Sequence, residues 1–220
     1  VDLDDIKLAT LFIALAVLPF ALVLDKKRKE KRFAKYKRFG LTPVSARMFK
    51  SWAKPRHFSS LSKMGIFNRQ HELMGGEYQG HNVALFTHSV ADGSNAGKRQ
   101  TAVIIELSKP APRFVLRPEW LRDKLKSTFG NHDINFATDA KFSAKYFLQG
   151  DDEDAIREIF TAAMRDQLGS RDRQWLESDG EKLLMFEEYE QLTDGENLAQ
   201  LLDTAVLMKA FVEDGARRAQ

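Results

Sequence analysis

The side chains with the most chemical reach in this 220-residue chain are five histidines and a dense set of carboxylates. His71, His81 and His88, with Glu72 and Glu77 beside them, form the one grouping that has the donor types of a metal site. Their spacing works against it. Two residues seven apart on one regular strand point to opposite faces, which separates His81 from His88. The run Asp151, Asp152, Glu153, Asp154 offers oxygen donors for Ca²⁺ or Mg²⁺. It lacks the alternating spacing of a calcium loop and stands where a helix begins, so capping and the helix dipole account for it. Glu187, Glu188 and Glu190 follow an apolar strand and read as solvated charge. Trp120 and Trp175 read as packing anchors. The chain has no cysteine, which excludes thiol nucleophiles, zinc thiolates, iron–sulfur clusters and disulfides. It has no phosphate-binding glycine loop, dinucleotide fingerprint, H-E-x-x-H or G-x-S-x-G. No catalytic residue, cofactor-binding residue or metal ligand is assigned, and no cofactor is expected.

The stronger chemistry is electrostatic. The formal net charge of +3 conceals a basic block, 26–69, with 15 Lys and Arg against Glu30 alone. The remainder, 70–220, is net acidic. The densest part of the basic block is Lys26, Lys27, Arg28, Lys29, Lys31, Arg32, Lys35, Lys37 and Arg38. It follows an uncharged apolar run over 8–24. As helix that run is about 25 Å long, close to a hydrocarbon core of about 30 Å, and Lys7 can snorkel to lengthen it. Its acidic front and basic back are the reverse of a cleavable signal peptide. The positive-inside rule then places the N-terminus outside and everything after residue 25 in the cytoplasm, at a bacterial inner membrane.

Phe33, Tyr36 and Phe39 recur at every third position as an aromatic stripe on this basic segment. Thr42-Pro43 reads as the N-cap and first residue of a short amphipathic helix. On it Val44, Met48, Phe49 and Trp52 share a face, and Arg47, Lys50 and Lys54 supply charge. The nine basic residues above, with Arg47, Phe49 and Trp52, are therefore expected at the membrane surface. There each Lys or Arg near anionic lipid contributes about 1 kcal/mol. Docking on an acidic partner or on the chain's own acidic domain competes with this reading. Nucleic-acid binding is not needed beside a bilayer.

The elements that must carry these side chains follow from the patterning. Residues 54–62 read as a polar linker. Strands are expected over 72–77, 81–90, 101–107, 113–117 and 142–148, with a helix over 118–129. One helix is expected over the run starting at Asp151 or Asp152 and ending at Gly169, then a hairpin of 173–177 and 181–187 across Ser178-Asp179-Gly180. A last helix follows Asp194-Gly195. Hairpins dominate, so the fold class is α+β: one N-terminal transmembrane helix, then a largely antiparallel sheet with helices packed on one face. The divisions are 1–25 (tail and span), 26–62 (basic arm, interfacial helix and linker) and 63–220 (cytoplasmic domain).

With its single span, RFVLRPE (113–119), FLQGDDEDAIREIF (147–160) and WLESDGEKLLMF (175–186), the chain resembles a broad family of uncharacterised bacterial single-pass membrane-anchored proteins. The resemblance implies the architecture and carries no mechanism. The functional expectation is an accessory or scaffolding subunit of a larger membrane complex. Its partners would be anionic lipid and other subunits, with no small-molecule substrate. A tethered sensor or ligand-binding domain is the alternative, and an enzyme with an unrecognised site comes third.

Overall fold

The computed structural model describes residues 30, 33–62, 70–89, 98–119, 133–188 and 190–219. The expected transmembrane helix and Lys26, Lys27, Arg28, Lys29, Lys31 and Arg32 lie outside them, as do Trp120, His132 and nearly all of the expected helix over 118–129. Among the described residues no helix is long and apolar enough to cross a membrane.

Eight strands form one sheet: β1 (Leu41–Pro43), β2 (Gln70–Tyr78), β3 (His81–Ser89), β4 (Arg99–Glu106), β5 (Phe114–Pro118), β6 (Tyr146–Gly150), β7 (Gln174–Ser178) and β8 (Lys182–Glu187). Their order is β1-β2-β3-β4-β8-β7-β5-β6, and every neighbouring pair is antiparallel. Side chains alternate between faces along each strand. Val83, Leu85, Val103, Ile105, Leu183 and Met185 therefore enter the larger core, while Ala84, Phe86, Ala102, Ile104, Leu184 and Phe186 enter a second one on the opposite face.

The larger core is covered by α4 (Glu153–Ile159), α5 (Ala162–Gly169) and the 24-residue α6 (Gly195–Arg218), with the short α3 (Ala140–Lys145) beside them. Asp152 caps α4 through the Ala155 N–H at 3.0 Å, and Asp194 caps α6 through the Asn197 N–H at 2.8 Å. A methyl group at Gly215 would collide with the Ile159 and Glu158 backbone, so the missing side chain is what lets α6 lie against α4.

The second core is covered by α1 (Ala46–Ala53), a 3₁₀ turn (Pro55–His57) and α2 (Ser59–Ser62). Helices thus pack on both faces of the sheet, which corrects the expectation of one. The expected boundary at residue 63 is likewise not a packing boundary. Tyr36, Leu41, Phe49, Ala53, Phe58 and Leu61 are all buried in the two cores. Thr42-Pro43 belongs to edge strand β1, where a proline without an N–H is tolerated, and Ser45 caps α1 instead. The expected single helix breaks at Phe160, because the Thr161 hydroxyl accepts from the Met164 N–H and starts α5 afresh. The strand expected over 142–148 begins at Tyr146, since Asp139 caps a helical turn ahead of it.

Candidate functional site

The described end of the basic arm is packed on the domain. A helical segment over 33–37 leads into a turn and then β1. The Tyr36 ring is fully buried in the larger core, and its hydroxyl donates to Glu72 Oε2 at 3.0 Å. Burial and the Glu72 carboxylate push the Tyr36 phenol above its ordinary range. Glu72 sits at a bulge in β2 with φ of 49°, a conformation that turns its carboxylate toward both Tyr36 and the Thr87 hydroxyl. Phe33 and Phe39 pack against the same core, and Phe39 meets Tyr78 edge-on at 6.0 Å. The aromatic stripe therefore faces the protein.

The basic residues of this segment divide. Lys35 Nζ donates to the Thr193 carbonyl at 3.3 Å and lies 4.8 Å from the Tyr36 ring centre. Arg38 stacks on Phe39 at 4.6 Å, and its guanidinium occupies the space where Gly195 has no side chain. Lys37 is exposed. Lys35 and Arg38 thus reach the start of α6, and charge and aromatic packing dock the arm on its own domain.

Helix α1 holds the other predicted surface residues. Phe49 points inward and meets Phe86 edge-on at 5.0 Å, so its ring is spent on the core. Arg47 and Lys50 are exposed, Trp52 and Val44 are half-buried, and Met48 is 63 % exposed. Beneath the helix one register row crosses the sheet: Thr42, Gly75, Ala84, Ile104, Leu184. Its first three members are small, and the space they leave is an open groove of about 560 Å³ between α1 and the β1–β3 edge. Val44, Met48, Phe49 and Trp52 line it from the helix side; Glu77 and Asn82 supply its polar groups. Lys182 Nζ lies 5.6 Å from the Trp52 ring centre.

The segment expected as a linker is strapped to the β7–β8 hairpin by three acidic residues in alternation. Glu181 takes Lys54 Nζ at 2.8 Å. Asp179 faces His57 Nδ1 at 3.6 Å. Glu177 accepts from the Ser59 N–H at 2.5 Å, the Ser60 N–H at 3.0 Å and the Ser60 hydroxyl at 2.5 Å. Burial raises the Glu177 carboxyl above its ordinary value, against the three bonds that favour its ionised form. Sequence reasoning missed this strap; the alternating acids in WLESDGE were its only signal.

The histidine trio does not converge. His81 is half-exposed at the start of β3, and His88 is fully buried near its end on the second face. Burial, with His71 nearby, pushes the His88 imidazole down to about 4. Among the described residues no group of three His, Asp or Glu is arranged to hold a metal ion. Glu188 is buried, not solvated as expected. Trp175 is buried and stacks on Phe186 at 5.3 Å. A further cavity of about 310 Å³, polar and lined by Thr101, Arg171, Gln174, Glu187 and Glu190, opens beside the first turns of α6.

No protein-family model matches the sequence, and no curated protein matches it. Among solved structures the chain is similar to the mycobacterial trehalose monomycolate transport factor A, TtfA, with a TM-score of 0.53 and 15 % identity. That match covers 84 % of this chain and 92 % of the other. At that similarity the two chains share a fold.

Proposed function

We propose that this chain is a single-pass accessory factor of a bacterial membrane complex, with its domain in the cytoplasm, and that it serves transport by contact and not by catalysis. The observation that carries the reading is the packing of 33–62 into the domain. Residues 25–32 are then all that lies between the apolar run and the folded unit. Eight residues reach about 12 Å as helix and at most about 29 Å extended. A domain held that close to the bilayer, with its arm built into its core, suits a scaffold fixed beside other membrane proteins. The shared fold with a transport factor supports transport as the process. The exposed face of α6 around Leu207, with Ala199 and Asp203 beside it, offers a surface for the contact.

The test is purification of the full chain in mild detergent with its neighbours in fixed stoichiometry. Co-isolation with membrane transport subunits is expected; a chain that always leaves the membrane alone contradicts the reading. The polar cavity beside α6 favours a second reading, a tethered ligand-binding domain. In that case small polar metabolites would raise the melting temperature of the purified chain.

A further inference from the structure

Three features meet on α1. The helix sequence ARMFKSWA carries Arg47 and Lys50 and no acidic residue. Met48 is 63 % exposed, and with Leu207 it makes up the exposed large hydrophobic side chains of the described residues. Trp52 and Met48 stand over an open apolar groove whose floor is kept low by Thr42, Gly75 and Ala84. A surface that joins a largely apolar slot, an indole and exposed cations is complementary to the interface of an anionic bilayer.

We propose that this groove docks on the anionic leaflet that holds the chain's own apolar run, with Met48 and Trp52 among the acyl chains and Arg47 and Lys50 on headgroup phosphates. The proposal rests on reading 8–24 as a span. The short tether selects this occupant. From residue 24 the chain has only residues 25–32 before it enters the fold, so α1 follows the membrane surface by some twenty residues, most of them packed. Charge selects it as well, because the basic arm and α1 bring the same sign to the same leaflet. Glu77, exposed in the groove lining, is repelled by anionic headgroups and marks the part of the groove that stays in water. Phe49 takes no part in the lipid contact; it anchors the helix on Phe86 so that Met48 is presented outward while the half-buried Trp52 lines the groove.

The absence of cysteine makes the test direct. The full chain carrying Met48→Cys is labelled with an environment-sensitive fluorophore and reconstituted into vesicles of phosphatidylcholine with or without phosphatidylglycerol. Lipids with a quencher on the acyl chain report the depth of the label. Leu207→Cys serves as the second site. The expected result is a blue shift and quenching at position 48, strongest in anionic vesicles, with neither at 207. Arg47→Gln combined with Lys50→Gln, both on exposed positions, should weaken docking by about 30-fold, the effect of two headgroup contacts. Equal, unquenched signals at 48 and 207 in vesicles that retain the chain overturn the groove proposal and leave the span intact. A chain that does not stay with the vesicles overturns the span reading itself. Shielding of position 48 in native membranes but not in pure lipid shows a protein occupant and also overturns the proposal.

Discussion

At the scale of single residues, burial ties a titrating side chain to the stability of the fold, and His88 is the case in point. Its folded value of about 4 lies below the unfolded 6.5, so between those values the unfolded chain binds more protons. The stability that neutral His88 contributes is fully present above pH 6.5 and is lost as the pH falls toward 4. Over the whole window this amounts to about 3 kcal/mol. Denaturant titrations at pH 7 and pH 5 should therefore show a drop for the wild-type chain and a smaller drop for His88→Gln. A pH dependence identical in the two would remove His88 as its source. The histidine spacing was enough to separate His81 from His88, but it could not say that His88 is buried. Burial depends on what the opposite face of the sheet packs against, which is a tertiary fact. Glu188 and Glu177 escaped for the same reason: a glutamate at the end of an apolar strand looks the same whether water or two serine N–H groups meet it.

At the scale of elements, the hairpins were legible because strand alternation and Gly-containing turns are local signals. β2, β3, β4, β5, β7 and β8 all lie within a few residues of their expected places. The arm was harder to read. Phe33, Tyr36, Phe39 and Phe49 sit in a basic sequence that suits lipid, yet Tyr36 and Phe49 are buried in protein. An apolar stripe says that it will be covered and does not say by what. The consequence can be measured. A chain beginning at residue 63 lacks Tyr36, Leu41, Phe49, Phe58 and Leu61, each less than 5 % exposed. Losing a buried large side chain costs about 2–5 kcal/mol, and whole domains are stable by about 5–15 kcal/mol. Circular dichroism melts should show cooperative unfolding for 33–220 and none for 63–220. A shared melting temperature would mean that the arm only rests on the domain.

At the scale of the whole molecule, the chain is proposed to join a membrane span to a two-faced sheet domain through an arm that belongs to both. The proposed orientation rests on the basic flank alone. With a membrane-impermeant thiol reagent on intact cells, Leu3→Cys should label and Ser94→Cys should not; the reverse pattern would invert the topology. On these proposals the two large hydrophobic side chains exposed among the described residues have separate duties, Met48 toward lipid and Leu207 toward protein.

The claim that contact is the function is tested most directly by two full-length variants in cells that lack the native copy. Leu207→Lys changes the exposed face of α6 and places a lysine four residues after Asp203, a spacing that helices tolerate well. His81→Ala removes a half-exposed candidate chemical group from the start of β3. Both are scored for recovery of the membrane complex and for growth. The account predicts that Leu207→Lys, folded and in the membrane, loses both, while His81→Ala keeps both. A folded His81→Ala that still joins the complex but loses growth would contradict it and place chemistry in this domain.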